Sequence, residues 1–172
     1  MIIIGIDPGI AKLGYAFIEI KKGEEKLKTI DYGCIITDPE FSTGDRLKKI
    51  HNELNKLIKN YRPDVMAVES LYFFKNLKTV MPVSQAKGVI LLTAAERKIP
   101  VLEFTPLQMK MAITGYGKAE KKQVQKMIKM LLGLEEKSKD RNLPADRHGR
   151  REDDAIDALG IAICGTIKAS RP

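Results

Sequence analysis

The sequence predicts an α/β protein whose mixed five-stranded sheet, with three antiparallel strands followed by two parallel ones, is flanked by helices. Three observations predict this class. Three strand-like segments separated by Pro and Gly turns open the chain, helical and strand-like segments then alternate, and the last helix is apolar almost all round. A length of 172 residues fits one domain over positions 1–172.

The first three strands form a predicted meander. Ile2, Ile3, Ile4 and Ile6 are β-branched and apolar on both faces, as in a buried strand, and this strand ends at Asp7-Pro8-Gly9. Residues 13–20 and 27–37 supply the next two strands, and short turns join them as hairpins. Asp7 is therefore expected at the end of a central strand.

Helices and strands alternate in the middle of the chain. Ser42-Thr43 is a candidate cap for a helix that ends near Pro63, and its apolar residues recur at spacings of three and four: Leu47, Ile50, Leu54, Leu57 and Ile58. Val65 to Val68 reads as a short buried strand, followed directly by Glu69. The next helix is predicted over 79–98, with Thr79 as its cap and Pro82 as its third residue, where proline is tolerated.

The last third contains one strand, three helices and a loop. Residues 99–104 form the predicted fifth strand, and Pro106 opens a short helix to Ala112. A further helix after Gly117 runs to about Leu132, and the charged segment 135–151 reads as a loop. The final helix, Glu152 to about Lys168, is expected to be buried.

Composition narrows the choice of partners. The net charge of +8, from 30 Lys and Arg against 22 Asp and Glu, is compatible with an acidic polymer such as nucleic acid. The two cysteines are far apart and have no metal-ligand spacing, which favours a reduced, cytoplasmic protein. No apolar run approaches the roughly 20 residues that a membrane span needs, so we expect no membrane association.

Four carboxylates form the candidate catalytic centre. Asp7 and Glu69 each follow an apolar strand, and Asp154 and Asp157 lie on one face of the final helix. If they converge, their repulsion favours hard divalent cations such as Mg²⁺ or Mn²⁺. Two such ions about 3.5–4 Å apart support phosphodiester hydrolysis. The pattern therefore predicts metal-dependent cleavage, with these four acids as metal ligands.

Each acid alone has a simpler explanation. Asp-Pro-Gly is often a turn, a Glu after a strand is often on the surface, and Glu152-Asp153-Asp154 suits an acidic first helical turn. Glu152 and Asp153 also compete with Asp154 as ligands. Together these explanations weaken, because Asp157 lies inside an apolar helix.

Lysines and aromatic residues indicate a DNA surface. On the helix after Gly117, one face is predicted to carry lysines and the other an apolar stripe; the lysines are Lys118, Lys122, Lys126 and Lys129, and the stripe is Val124, Met127, Ile128 and Leu131. Lys110 precedes them, and Lys121 lies at the border of the stripe. A solvated helix face is the alternative, but few acids balance these charges. Tyr72, Phe73 and Phe74 follow Glu69 and could stack on unpaired bases.

The ordered set of motifs resembles the RuvC family of Holliday-junction resolvases over about residues 1–165. The motifs are Ile-Gly-Ile-Asp7-Pro-Gly with Gly14-Tyr15, Ala-Val-Glu69, Lys75-Asn76, Gln85-Ala86-Lys87-Gly88 and Asp154-Ala-Ile-Asp157-Ala-Leu159. The resemblance implies an RNase H-like fold and a homodimer that nicks two strands of a four-way DNA junction symmetrically. It also implies two Mg²⁺ ions per site and work alongside a branch-migration helicase.

The same resemblance assigns roles to individual residues. The catalytic, metal-binding acids fall on Asp7, Glu69, Asp154 and Asp157. Lys110 and Lys121 match lysines near the scissile phosphate, and Tyr72 matches a wedge aromatic; Phe73, Lys118 and Lys122 complete the predicted DNA contacts. The long loop before Glu152, with its His148, departs from the family pattern.

Three other functions compete with a junction resolvase. One is another RNase H-like nuclease, transposase-like or RNA-cutting. The second is an actin-like or sugar-kinase ATPase, whose first phosphate loop Gly-Ile-Asp7-Pro-Gly resembles, but such enzymes need a second loop that is not seen here. The third is a DNA-binding module without catalysis, which requires that divalent ions do not bind.

Overall fold

A computed structural model describes residues 1–21, 26–70, 77–134 and 151–169, with the backbone alone at 77–79 and 151–152. It contains five strands, β1 (Ile2–Asp7), β2 (Lys12–Glu19), β3 (Lys28–Ile36), β4 (Val65–Glu69) and β5 (Val101–Phe104). Its helices are α1 (Thr43–Tyr61), α2 (Leu77–Glu96), α3 (Pro106–Thr114), α4 (Lys121–Leu131) and α5 (Arg151–Ala169). Segments 71–76 and 135–150, which include Tyr72, Phe73 and His148, lie outside the described residues.

The strands form one mixed sheet in the order β3-β2-β1-β4-β5. The pairs β1–β2 and β2–β3 are antiparallel, which confirms the predicted meander, while β1–β4 and β4–β5 are parallel. The parallel pairing of β1 with β4 runs from Ile3 opposite Val65 to Ile6 opposite Val68. The carboxyl ends of these two strands therefore lie side by side.

Helices cover both faces of the sheet. Ile4, Ile6 and Phe17 point to the face covered by α1 and α2 and pack in one apolar core. Ile3 and Ala67 point to the other face, where α5 lies against the sheet with α3 and α4 beside it. The middle of α5 is buried, as its apolar sequence predicted; the buried residues include Ala158, Leu159, Ile161, Ala162, Ile163 and Cys164.

Several helix ends were readable from the sequence. Ser42 caps α1, because its hydroxyl accepts a hydrogen bond from the Asp45 amide at 3.2 Å. The helix ends at Arg62, which adopts a left-handed conformation with φ of 48°. Pro106 opens α3 behind a capping box formed by Thr105 and Gln108.

The start of α2 differs from the prediction. The helix begins at Leu77, so Thr79 lies inside it and is not its cap, and Pro82 is the sixth helical residue. A proline there removes the hydrogen bond that its amide would give to the carbonyl of residue 78. The helical turn before Pro82 was missed because proline was taken to mark the first turn.

The bounds of β5 and the surface of α4 also need correction. Strand β5 begins at Val101, because the Ile99 amide still bonds the Ala94 carbonyl at the end of α2, at 2.9 Å. Lys118 precedes α4 by three residues and is not on its face. Leu131 is 51% exposed, since the chain turns at Gly133, where φ is 62°, and packs Leu132 and Leu134 onto the core in its place.

Neither Cys34 nor Cys164 forms a disulfide bond within the part of the chain that the structure describes. Within the described ranges, every helix is too short or too polar to cross a bilayer.

Candidate active site

The ends of β1 and β4 present Asp7 and Glu69 on the same face of the sheet. Side chains alternate along a strand, so Asp7 shares its face with Ile3 and Gly5, and Glu69 shares its face with Val65 and Ala67. This is the face that α5 covers. The sequence therefore directs both carboxylates toward the final helix.

Two glycines let α5 approach closely enough to bring its own acids to the same place. A Cβ atom at Gly14 would collide with the carbonyl oxygen of Asp154 and lie 3.3 Å from the Cβ of Asp7. A Cβ at Gly5 would collide with the backbone of Ala158 one turn further along the helix. Since glycine alone leaves this space open, these two positions fix where the first turn of α5 lies over β1 and β2.

The carboxylates lie close enough for the charge of one to shift the pKa of another. Burial raises the pKa of Asp7 well above its usual range, and the charge of Glu69, a hydrogen bond to Glu69, and the charges of Asp157 and Asp154 raise it further. Burial also raises the pKa of Glu69, assisted by Asp157 and opposed by the hydrogen bond from Asp7. Burial and mutual repulsion thus oppose full ionisation of the Asp7–Glu69 pair.

Two lysines balance the acids of α5. The Lys121 ammonium lies 2.8 Å from Asp157 and 3.9 Å from Asp153, and the Lys12 ammonium lies 3.9 Å from Asp154. Burial opposes the charge of Lys121, but the hydrogen bond to Asp157 and the charges of Asp157, Asp153 and Asp154 together outweigh it and raise the lysine pKa. Burial raises the pKa of Asp154, while Lys12 and Lys121 lower it. Gln125 completes the group by donating to Asp157 at 3.4 Å.

The donor set fits a hard divalent cation, although the side chains are not arranged around one. All four candidates are carboxylates, and a cation would offset the burial and repulsion that raise the pKa values of Asp7, Glu69 and Asp154. Among the described residues, however, no three Asp, Glu, His or Cys side chains are close enough to hold an ion as they stand. The Lys121 ammonium lies beside Asp157, where it supplies positive charge that a bound cation would otherwise provide.

The structure separates Asp154 from its neighbours in sequence. The charge of Asp154 acts on Asp7, whereas Asp153 faces Lys121 and its side chain is 49% exposed. This favours Asp154 as the member of the cluster, as the motif predicted. Of the predicted DNA-binding lysines, Lys121 reaches the acids, Lys110 is half-buried on α3, and Lys118 and Lys122 are exposed.

Four contributors to the site were not predicted from the sequence: Lys12, Gln125, Gly5 and Gly14. Lys12 and Gln125 carry no motif, and only the packing of α5 brings them to Asp154 and Asp157. The glycines left a signal that could have been used. Gly5 lies two residues before Asp7 on the same strand face, and Gly14 lies opposite Asp7 in the β1–β2 register.

Comparisons with known proteins agree over nearly the whole chain. A protein-family model described as crossover junction endodeoxyribonuclease RuvC matches residues 3–165. A protein of that name from Thermosipho melanesiensis is 49% identical over 168 residues, 98% of each chain, and one from Halothermothrix orenii is 48% identical over 164 residues, 95% of this chain and 91% of the relative.

Solved structures give the same result for the fold. The structure of Thermus thermophilus RuvC superposes with a TM-score of 0.81 at 29% identity, covering 98% of this chain and 95% of the other. A second structure, of T. thermophilus RuvC in complex with a Holliday junction substrate, gives a TM-score of 0.79 at 26% identity over the same shares. The predicted five-stranded RNase H-like sheet is thereby confirmed.

Proposed function

The chain belongs to the RuvC family of crossover junction endodeoxyribonucleases, and we propose that it resolves four-way DNA junctions by metal-dependent hydrolysis at Asp7, Glu69, Asp154 and Asp157. The observation that carries the site assignment is the convergence of these acids from β1, β4 and α5 on one face of the sheet. Acids from opposite ends of the chain meet where the backbones of β2 and α5 touch at Gly14.

The four acids act as metal ligands in this mechanism, and the sheet and α5 hold them in place. Asp7 and Glu69 lie on strand ends that the sheet holds rigidly, and Asp154 and Asp157 lie on the first turns of a buried helix. Together these carboxylates would hold Mg²⁺ ions, which would supply Lewis-acid stabilisation of the phosphate and activation of the attacking water. The acids would bind as carboxylates, and Asp157 would exchange its ion pair with Lys121 for the ion.

The lysines then act on the DNA. Lys121, once it leaves Asp157, is within reach of a phosphate next to the acids and provides a positive charge for the reacting group. Lys110, Lys118 and Lys122 extend this charge away from the site along the backbone of the bound strand. Tyr72 and Phe73 retain the junction-stacking role that the family resemblance implies.

Symmetric cleavage requires two active sites, and α2 supports a homodimer. Its exposed positions Met81, Gln85, Gly88, Leu92 and Ala95 follow one another at spacings of four and three, as in the seam of paired helices. Met81 is 66% exposed and Leu92 is 55% exposed. Gly88 has no neighbour within 4 Å of a built Cβ, and such small residues permit close approach of a second α2 helix.

A synthetic four-way junction tests the proposed function directly. We expect paired nicks at symmetric positions in Mg²⁺, no nicks after chelation, and little cleavage of linear duplex or RNA–DNA hybrid. Equal cleavage of hybrid and junction would instead indicate an RNA-cutting relative. Cleavage that continues in EDTA would contradict the metal-dependent mechanism.

A further inference from the structure

A polar cluster of Ser70, Lys87 and Glu103, here called the clamp, lies on the opposite face of the sheet from the acids. The Lys87 ammonium and the Ser70 hydroxyl both donate to the same oxygen of Glu103, at 2.5 Å and 3.2 Å. The Lys87 side chain is only 14% exposed, although lysine is rarely buried unless it is paired. Lys87 belongs to the Gln85-Ala86-Lys87-Gly88 motif, and the proposed mechanism assigns no role to Lys87 itself.

The clamp links β4, α2 and β5 at the point where β4, the strand that carries Glu69, ends. Ser70 directly follows Glu69, Lys87 lies on α2, and Glu103 lies on β5. The Ser70 amide also donates to the carbonyl oxygen of Phe104 at 2.8 Å. Since successive side chains alternate, holding Ser70 toward α2 turns Glu69 toward α5 and the other acids.

Glu69 is the last residue of β4, where backbone pairing within the sheet holds it only weakly. Pairing of β4 with β1 ends at Val68, and the partner of Glu69 is Phe104 on β5, a four-residue edge strand. Beyond Val68, β4 is therefore held on one side only, by the edge strand β5. The clamp adds a side-chain contact at this point, because Glu103 on β5 accepts hydrogen bonds from both Ser70 and Lys87.

We propose that Ser70, Lys87 and Glu103 form a positioning device that holds the Glu69 carboxylate in the active site. The proposal rests on the proposed function of Glu69 as a metal ligand. The hydrogen bond from Lys87 lowers the pKa of Glu103, so this carboxylate stays anionic and keeps both donors at working pH. Residues that orient metal ligands typically change metal affinity or activity by about 10–100-fold when replaced.

The chain offers a matched control for the clamp. Lys56 and Glu53 form an ion pair of 2.8 Å on α1, with side chains 67% and 41% exposed. Glu53→Gln removes the same charge as Glu103→Gln, and the two glutamates are similarly exposed, at 41% and 45%. The two variants therefore differ in position and in the burial of the partner lysine, which is 67% exposed at Lys56 and 14% exposed at Lys87.

The test compares Glu103→Gln, Lys87→Met and Ser70→Ala with the control Glu53→Gln. In calorimetry without DNA, we expect each clamp variant to bind Mn²⁺ at least roughly tenfold more weakly than the control. At a saturating concentration of four-way junction, each clamp variant should also cleave more slowly by about the same factor. Junction affinity in EDTA should stay within about twofold of the control, because the clamp acts on Glu69 and not on DNA.

Two further variants keep the proposal testable if a single substitution unfolds the protein. The charge swap Lys87→Glu with Glu103→Lys should recover part of the lost Mn²⁺ affinity. In a Glu69→Gln background, Glu103→Gln should cause no additional loss, since its effect passes through Glu69. The proposal is overturned if Glu103→Gln matches Glu53→Gln in Mn²⁺ affinity, or if its loss is fully additive with Glu69→Gln. If the wild type does not cut junctions, the proposed function is wrong. The comparison of Mn²⁺ affinities would still test whether the clamp positions Glu69.

Discussion

Asp7 and Asp31 occupy opposite faces of the same sheet and show two ways of placing a carboxylate inside a protein. Asp31 lies against α1, where the Tyr61 hydroxyl donates to it at 3.0 Å and the Tyr15 hydroxyl at 3.5 Å. Asp7 lies under α5 and faces three further acids, whose charges add to the effect of burial in raising its pKa. The tyrosine hydroxyls stabilise the charge of Asp31 from within the chain, whereas the acids around Asp7 favour an external cation.

Removing the charge of Asp7 and removing that of Asp31 should change the stability of the protein in opposite directions, and this comparison has the largest effect that we expect. Asp7→Asn should reduce junction cleavage by about a thousandfold, the rate equivalent of roughly 4 kcal/mol of lost stabilisation. The same change should raise the melting temperature of the metal-free protein, by roughly 2–4 °C for each kcal/mol of relieved repulsion. Gel assays of cleavage and calorimetric melting in EDTA measure the two effects.

Asp31→Asn is the matched control for Asp7→Asn. It should leave cleavage nearly unchanged and destabilise the protein by about 1–3 kcal/mol, because the tyrosine hydroxyls lose a charged acceptor. A stabilising Asp31→Asn, or an Asp7→Asn variant that cuts junctions at the wild-type rate, would contradict the comparison.

The glycines of β2 and β3 extend the comparison to the backbone. Gly14→Ala places a methyl group against the carbonyl of Asp154, whereas Gly33→Ala meets only the Tyr15 side chain, 2.9 Å from its hydroxyl oxygen. Overpacking of this kind costs about 1–3 kcal/mol. We expect Gly14→Ala to lose both stability, measured by urea unfolding, and most of its cleavage activity, because α5 must move.

Gly33→Ala should lose stability alone. If the two glycine variants lose cleavage activity to the same extent, close packing of α5 is not what assembles the site.

The smallest expected effect is the pH dependence of the metal-free protein. The pKa of Asp7 is raised on folding, so the stability that its neutral form provides is complete below pH 3.8 and is lost as pH rises through the native pKa. Burial, followed by the charge of Asp31, raises the pKa of Tyr15 to about 12, so its contribution is lost only above about pH 10.

Melting temperatures in EDTA test these two windows. The melting temperature of the wild type should fall as pH rises above 3.8 by more than that of Asp7→Asn, and Tyr15→Phe should matter only at the alkaline end. Saturating Mg²⁺ should remove the difference at neutral pH, because the ions stabilise the charged form. Parallel curves for wild type and Asp7→Asn would show that the cluster does not titrate in this range.

Local patterns were sufficient for most of the secondary structure. The Ile-rich run before Asp7, the spacing of Ile50, Leu54 and Ile58, and the Ser42 cap each act over a few residues, and each predicted its element correctly. The errors arose where a distant contact changes the local outcome. Leu131 is exposed because Gly133 redirects the chain, and α2 extends to Leu77 despite Pro82.

The sequence by itself determined which acids end which strands and which face of the final helix carries two more, because alternation and helical periodicity are local properties of the chain. Only the tertiary structure decided that these acids meet, because that depends on the register of β1 with β4 and on the contact of α5 with Gly5 and Gly14. It also decided which cations accompany them, since Lys12 and Lys121 reach Asp154 and Asp157 from elements far away in the chain. Long-range packing carries no periodic signal, and for that reason Lys12 was not visible in the sequence and Lys121 was expected near the site only through the family resemblance.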